Sequence, residues 1–277
     1  PELDSNWTAL GDYAARAMAF INEDIGPYMY PEYNVVQGGD GGMEYPMLTL
    51  VTGERSLRSL VGVTVHEMAH SWFQAMVATN ESLHEWMDEG FTSWAESRCM
   101  AELFADPMKP SENPHKWSYS GYINQHLSGN EEPLITHADH YKTNRAYGIG
   151  AYAKGEVFVE QLGAVVGTAT RDEGMRRYFK EWSFKHPGPH DFKRVMERES
   201  GLELDWYFQE MMHTTNAIDY AVESVVNDGD LVTVELSRRA DMPMPQDLSL
   251  AWDDGTVTVV HIPLVMTVSY THLTLPT

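Results

Sequence analysis

Two histidines four residues apart constrain the fold of this chain more than any other feature. They lie in the run His66-Glu67-Met68-Ala69-His70. On an α-helix this spacing puts both imidazoles on one face, one turn apart, where they can bind one metal ion. A buried helix can also carry two histidines for packing or hydrogen bonding. The run therefore predicts a helix, and by itself leaves metal binding and packing both open.

A carboxylate further along the chain favours the metal. Glu89 follows His70 after 18 intervening residues and opens the next apolar run. A helix dipole alone would favour an acidic residue there, but at this distance from His70 a third ligand is the better interpretation. Three protein ligands, His66, His70 and Glu89, leave one position of a tetrahedral zinc for water, as in catalytic sites. We expect one Zn²⁺ per chain, and the single cysteine excludes a site built from several thiolates.

Glu67 is the candidate general base. The neighbour of a ligand on a helix points about 100° away from it, so Glu67 is better placed to reach a water than the metal. Zinc lowers the pKa of a bound water to about 7, and an adjacent carboxylate can pass its proton to a leaving amine. The sequence thus predicts metal-assisted hydrolysis.

Together these residues resemble the gluzincin zinc peptidases, specifically the family containing aminopeptidase N and leukotriene hydrolase. The run Gly41-Gly42-Met43-Glu44-Tyr45 is similar to that family's Gly-x-Met-Glu-Asn motif, with tyrosine in place of the usual asparagine. The resemblance implies that Glu44 binds the α-amine of the substrate. It also implies that the backbone of Gly41, Gly42 and Met43 pairs with the peptide as an added strand. A protonated amine can form a charge-assisted hydrogen bond that an internal peptide bond cannot, which explains exopeptidase selectivity.

A second motif resembles the same family. The segment 147–155 is similar to the family segment in which a tyrosine precedes x-Lys-Gly at a helix start. The resemblance implies that Tyr152 stabilises the oxyanion, with a core tyrosine as the alternative. Tyr147, five residues earlier, is interpreted as a supporting residue. The segment also holds a loose Gly-x-Gly-x-x-Ala dinucleotide fingerprint, which we discount because no βαβ unit surrounds it.

Other polar residues are candidates for supporting roles. Glu96 lies two helical turns after Glu89, so it could hydrogen-bond a ligand imidazole or simply be a solvated carboxylate. Asp88 suggests the same role with less support. His137 and His140 fall outside ligand spacing and are expected in loops rather than in a second metal site.

The fold class follows from periodicity and resemblance. Residues 1–218 are predicted as a thermolysin-like α+β catalytic domain, mainly helical with a small sheet. Strands are expected at 33–36 and 45–51, joined through a glycine-rich turn, and residues 105–146 are expected to form short elements and loops. Helices are expected at residues 7–24, 57–78, 89–104, 152–166, 171–184, 190–199 and 202–216.

The pattern of apolar and polar residues changes after Asp219. Alternating β-type runs at 231–236 and 256–262, with Asn-Asp-Gly and Asp-Asp-Gly turns, predict that 219–267 begins a truncated β-sandwich domain. The last ten residues, 268–277, resemble the translation of a sequencing adapter and are interpreted as a non-native tail.

Composition limits the partners. With 41 acidic and 19 basic residues the formal charge is -22, which argues against nucleic-acid and anionic-membrane partners. Such a surface attracts peptides with a protonated amine, although acidity is more commonly a solubility device. No apolar run approaches the length of about 20 residues that spans a bilayer. A periplasmic or secreted location is slightly favoured over the cytoplasm, and nothing indicates an oligomeric state.

The sequence therefore predicts a zinc aminopeptidase acting on peptides with a free N-terminus. Three alternatives stay open at this point: a thermolysin-like endopeptidase, a hydrolase of lipid epoxides, and a pseudo-peptidase that binds peptides without cutting them.

Overall fold

The computed structural model of the protein describes residues 2–39, 41–106, 108, 113–229, 231–267 and 271–276. Internal contacts divide the chain into two compact units, the first ending at Thr214 and the second beginning at Thr215. The first unit is mainly helical with a small sheet, and the second is built from strands, so the predicted fold class is confirmed. The domain bounds 1–218 and 219–267 stay predictions.

Nine α-helices belong to the described part of the first unit. They are α1 (Glu2–Asp24), α2 (Leu57–His70), α3 (Phe91–Leu103), α4 (Lys116–Leu127), α5 (Asn144–Gly148), α6 (Gly155–Val166), α7 (Thr168–Trp182), α8 (Pro189–Ser200) and α9 (Asp205–His213). The expectation of short elements and loops over 105–146 is wrong at α4, a helix of 12 residues. Its apolar side chains Trp117, Ile123 and Leu127 are 83%, 50% and 75% exposed, so the helix has no clear buried stripe that the sequence would reveal.

Three segments with wider, π-helical hydrogen bonding adjoin these helices. Ser71–Met76 extends α2, Trp86–Gly90 leads into α3, and Ile149–Lys154 joins α5 to α6. Such segments are rare and are found most often at functional sites. Here they carry, or directly follow, the motifs that the sequence singled out.

A three-stranded sheet packs beside α2. Its strands are β1 (Asn34–Gly38), β2 (Gly42–Tyr45) and β3 (Leu48–Thr52), in the order β1-β3-β2, with β1 parallel and β2 antiparallel to β3. The single strand predicted over 45–51 is wrong, because the chain turns between β2 and β3, where Met47 has φ 64°. That left-handed conformation is uncommon for a residue other than glycine and ends the strand.

Aromatic side chains fill the core of the first unit. Phe91 lies 5.6 Å from Phe73, 5.7 Å from Trp86 and 4.8 Å from Phe192, measured between ring centroids. Since Phe91 directly follows Trp86–Gly90, this packing fixes the segment that contains Glu89. None of the described helices is both long and apolar enough to cross a bilayer.

The second unit contains two small antiparallel sheets. Its elements are β4 (Tyr220–Asn227), β5 (Leu231–Arg238), β6 (Gln246–Ala251), β7 (Val257–Ile262), α10 (Leu264–Thr267) and β8 (Thr271–Pro276). The strands pair in the orders β4-β5-β8 and β6-β7, around a core of Val232, Val234, Leu236 and Ile262. The non-native tail stays a prediction: residues 271–276 form β8, while residues 268–270 and 277 lie outside the described residues.

Candidate active site

The three candidate metal ligands converge at the end of α2. Nε2 of His66 and Nε2 of His70 lie 3.2 Å apart, and each lies 3.2 Å from Oε2 of Glu89. Ligand atoms about 2.1 Å from a tetrahedral zinc are separated by about 3.4 Å, so this triangle has the size that zinc requires. Two imidazole nitrogens and one carboxylate oxygen are also a donor set that zinc accepts. The residues present therefore fit the metal.

The second nitrogen of each histidine is held by a carboxylate. Nδ1 of His70 lies 2.6 Å from Oδ1 of Asp88, which is buried, and Nδ1 of His66 lies 3.1 Å from Oε2 of Glu96. Both supporting contacts suggested by the sequence are thus present. They orient each ring and leave its Nε2 for the ligand triangle.

Acidic groups give this region a strong preference for positive charge. Burial disfavours the charged form of the His66 imidazole, but hydrogen bonds to Glu89 and Glu96 outweigh it and raise its pKa to about 9. Burial also disfavours a charged Glu89, yet the two histidines hold the pKa of this carboxyl below its usual range. A cation placed among these groups is therefore stabilised.

Glu67 lies beside the triangle with a free oxygen. The residue is buried, and its Oε2 has no hydrogen-bond partner among the described residues. Burial raises the pKa of this carboxyl to about 7, against the opposing charges of His66 and His70. A carboxylate with such a pKa can both accept and return a proton near neutral pH.

Strand β2 passes directly over Glu67 and needs a glycine to do so. A Cβ on Gly42 would lie 2.1 Å from Oε1 of Glu67 and 2.7 Å from Cγ2 of Val63. Contacts this close would force one of the side chains to move. Gly41, before it, has φ 91° and donates its N–H to the Thr52 hydroxyl at 2.8 Å, which closes the turn into the strand.

The alternation of β2 separates its side chains. Gly42 and Glu44 share the face toward α2, whereas Met43 and Tyr45, 43% and 50% exposed, lie on the other face. A carboxylate oxygen of Glu44 lies within 4.8 Å of a His70 ring nitrogen. Burial is the largest cause of the raised pKa of Glu44. Met43 can therefore contribute its backbone to the site, but its side chain faces away from α2.

Tyr152 approaches from the π-helical segment before α6. Its hydroxyl donates to Oε1 of Glu89 at 2.6 Å, and its ring stacks on His66 with centroids 5.7 Å apart. Burial and the charge of Glu89 raise the pKa of Tyr152, so the phenol keeps its proton. The ring of Tyr147 lies 6.4 Å from that of Tyr152 and supports it edge-on.

Two glycines allow the segments carrying Glu89 and Tyr152 to meet. A Cβ on Gly155 would lie 2.8 Å from Cα of Gly90, and a Cβ on Gly90 would lie 2.6 Å from Cα of Gly155. Backbone contacts backbone here, and no side chain can move aside to relieve a clash. The separation between Glu89 and Tyr152 therefore depends on both glycines.

Sequence reasoning missed two neighbours of the site. Oγ1 of Thr92 lies 3.3 Å from Nδ1 of His70, and the buried hydroxyl of Tyr33 has a pKa raised by burial and by the charge of Glu67. Neither residue belongs to a recognisable motif, so only the fold reveals them.

Among the described residues, the groups that could hold a metal ion all lie around His70. Two groups of three potential ligands occur there, His66/His70/Glu89 and Glu44/His70/Asp88, and they share His70. His137 and His140 lie at a short 3₁₀ turn, with rings 4.9 Å apart, and join neither group.

Curated proteins of known name are similar to this chain. The chain is similar to leucine aminopeptidase 2 of Neosartorya fischeri, 26% identical over 82% of this chain and 40% of the relative. It is also similar to aminopeptidase B of Rattus norvegicus, 32% identical over 61% of this chain and 27% of the relative. The chain thus spans less than half the length of these relatives.

Solved structures share the fold. An M1 zinc metallopeptidase from Deinococcus radiodurans matches 71% of this chain and 42% of its own, with a TM-score of 0.57 and 21% identity. Aminopeptidase A of Legionella pneumophila matches 100% of this chain and 33% of its own, with a TM-score of 0.70 and 15% identity. The model of the peptidase family M1 domain matches residues 12–214, most of the first unit, and the chain therefore belongs to peptidase family M1.

Proposed function

We propose that the protein is a zinc-dependent aminopeptidase that hydrolyses the first bond of peptides with a free N-terminus. The observation that carries the proposal is the triangle of His66, His70 and Glu89, with 3.2 Å edges and with Glu67, Tyr152 and Glu44 around it. Membership of peptidase family M1, and relatives named as aminopeptidases, support the same function.

Each side chain has a chemical role in this proposal. When bound, zinc polarises the scissile carbonyl and lowers the pKa of the attacking water. Glu67, whose Oε2 has no hydrogen-bond partner among the described residues, would accept a proton from the attacking water and pass it to the leaving amine. Tyr152 keeps its proton and donates it in a hydrogen bond to the oxygen that gains negative charge.

Glu44 accounts for the choice of chain end. Its half-buried carboxylate faces His70 from β2, and Asp88 and Glu89 add negative charge nearby. A protonated α-amine placed there forms a charge-assisted hydrogen bond, which an acetylated amine cannot form. We therefore propose that Glu44 binds the amine while the backbone of Gly41, Gly42 and Met43 lies along the peptide.

Hydrolysis of alanyl and leucyl p-nitroanilides, with zinc removed by a chelator and then restored, tests this proposal. We expect turnover that needs zinc and that N-acetylation of the substrate abolishes. Cleavage of N-acetylated peptides at internal bonds would instead identify an endopeptidase. Binding of zinc and of peptides without turnover of any peptide would identify an inert peptide-binding protein.

Two substitutions separate the roles. Glu67→Gln should lower kcat by about 10² to 10⁴-fold while zinc affinity stays nearly unchanged, because only the proton acceptor is lost. Glu44→Gln should lower kcat/KM mainly for substrates with a free amine. The difference in kcat/KM between free and acetylated peptides should therefore become smaller. Full turnover by the Glu67→Gln protein would rule out the proposed mechanism.

A further inference from the structure

A cavity opens on the side of the candidate ligand His66 that faces Glu96. It has a volume of about 760 Å³ and lies between the N-terminal half of α2, the C-terminal half of α3 and the start of α4. Glu96 lines it, and the same carboxylate holds Nδ1 of His66. The cavity therefore adjoins the candidate active site but lies away from Glu44.

The direction of β2 shows which part of a bound peptide would reach this cavity. Glu44 lies next to His70, at the C-terminal end of α2, while Gly42 lies against Val63, about two turns earlier. A peptide with its amine at Glu44 and its backbone along β2 would therefore run toward the N-terminus of α2. Val63 and Ser59 line the cavity, and they precede His66 by one and two helical turns on the same face.

The charged groups of the cavity are mainly basic, in a chain that is strongly acidic. Arg55, Arg58 and Lys116 line it, together with the carboxylates Glu96 and Asp106. Both carboxylates already have hydrogen-bond partners, His66 for Glu96 and the backbone N–H of Met108 for Asp106. With 41 acidic and 19 basic residues in the whole chain, a cavity lined by more basic than acidic side chains runs against the overall balance of charge.

Neither arginine uses all of its N–H donors in hydrogen bonds with the described residues. Arg55 donates from Nη1 to the Ser59 hydroxyl at 3.2 Å, and its buried Nε has no partner among the described residues. The guanidinium of Arg58 lies 4.6 Å from the ring centroid of Phe104. Across the described part of the chain, neither guanidinium forms an ion pair with a carboxylate. An arginine pair in this state is suited to a carboxylate ligand.

We propose that this cavity binds a carboxylate of the peptide on the C-terminal side of the cleaved bond. The proposal rests on the proposed aminopeptidase function. Arg58 precedes His66 by eight residues, or about 12 Å along the helix. An extended peptide covers that distance with about three or four residues. The C-terminal carboxylate of a short peptide, or an acidic side chain at the same distance, would reach Arg55 and Arg58.

Tetra-alanine in three forms tests the proposal: the free acid, the C-terminal amide, and the amide with aspartate at its fourth position. We expect kcat/KM for the free acid to exceed that for the plain amide by about tenfold, the size of a charge-assisted hydrogen bond. If kcat/KM for the aspartyl amide matches that for the free acid, a side-chain carboxylate also binds in the cavity. If it does not, the site takes the chain terminus.

Variants locate the effect. In the double variant Arg55→Gln/Arg58→Gln, the ratio of kcat/KM for the free acid to kcat/KM for the amide should fall close to one. Arg58→Lys should keep most of this ratio because the positive charge remains. Arg194→Gln is the matched control, since Arg194 is exposed on α8, away from the cavity. It should leave the ratio unchanged.

Binding gives a readout that does not depend on turnover. Affinities of the acid and the amide for the Glu67→Gln chain, measured by calorimetry, should show the same preference and the same loss in the double variant. Equal affinity for acid and amide, or a preference that survives the double variant, would overturn the proposal. Absence of cleavage of every peptide with a free amine would overturn the proposed function instead, and the two failures are therefore distinguishable.

Discussion

Asp88 and Glu96 hold the two candidate ligand histidines in different surroundings. The Asp88 side chain is 3% exposed and lies 2.6 Å from His70, whereas the Glu96 side chain is 30% exposed and lies 3.1 Å from His66. Water can replace the partner of a histidine only where the partner is exposed. The two carboxylates should therefore contribute unequally to metal affinity.

Substitution of each carboxylate by its amide measures this difference. We expect Asp88→Asn to weaken zinc binding by about 10 to 100-fold, as supporting partners of ligand histidines do. Glu96→Gln should cost less than about tenfold, because water can take over the contact. Competition with a chromogenic chelator gives both affinities, and a larger loss in Glu96→Gln would contradict the argument.

Gly42 limits the position of Glu67. In Gly42→Ala the new methyl group would displace the Glu67 carboxylate, and a shift of about 1 Å in a catalytic group can cost 10²-fold in rate. We expect kcat to fall by about that factor with zinc affinity unchanged. Gly39→Ala is the control in the same turn, since a Cβ there meets nothing within 4 Å. Equal kcat values for the two variants would show that the contact does not position Glu67.

At the level of elements, the site depends on the contact between the segments Trp86–Gly90 and Ile149–Lys154. Their backbones approach at Gly90 and Gly155, next to Glu89 and Tyr152. A separation of the segments would break the hydrogen bond from Tyr152 to Glu89. The two residues would then lose their relative position even with their side chains intact.

Gly155→Ala tests this dependence. Extra volume in a packed contact costs about 1 to 3 kcal/mol, and here the clash is with backbone, so the upper end is expected. Thermal unfolding should show the loss, and turnover should fall further than the unfolded fraction explains. Gly148→Ala is the control, since a Cβ on Gly148 meets nothing within 4 Å. Similar melting temperatures for both variants would contradict the prediction.

The elements differ in how far the sequence could predict them. The helix around His66 and His70 was predictable because its apolar period and its polar motif agree. The break at Met47 and the helix α4 were not, since the first depends on one residue with positive φ and the second has exposed apolar side chains. The ligand set of the candidate site followed from spacing alone. The contacts that surround these ligands could be found only from the packed structure. They include Tyr33, Thr92 and the contact between Gly90 and Gly155.

At the scale of the first unit, a network around Glu160 joins four helices. This carboxylate on α6 accepts hydrogen bonds from Trp94 on α3 at 3.2 Å and Arg171 on α7 at 2.5 Å, and lies 3.2 Å from Nε2 of His115, just before α4. Burial opposes its charge, but His115 and Arg171 outweigh burial and lower the pKa of Glu160 to about 2. The network therefore stabilises the fold only while Glu160 is ionised.

The pH dependence of unfolding follows from this pKa. Because the pKa is lower in the folded chain, the stabilisation is complete above the unfolded value of 4.5 and is lost as the pH falls toward 2. Glu160→Gln should lower the free energy of unfolding by about 2 to 3 kcal/mol at pH 7. Urea titrations from pH 7 to pH 3 should show the difference narrowing below about pH 4.5. A difference independent of pH would contradict the assignment.

The candidate ligands and Tyr152 come from different parts of the chain. His66, His70 and Glu89 lie on neighbouring elements, whereas Tyr152 follows Glu89 by 63 positions and reaches it only through folding. During evolutionary divergence the two parts can be lost separately. Under the proposed function, a descendant with an altered Tyr152 would keep the candidate metal ligands but would lose the hydrogen-bond donor that stabilises the oxyanion. This architecture thus offers a short mutational path from an enzyme to a protein that only sequesters peptides.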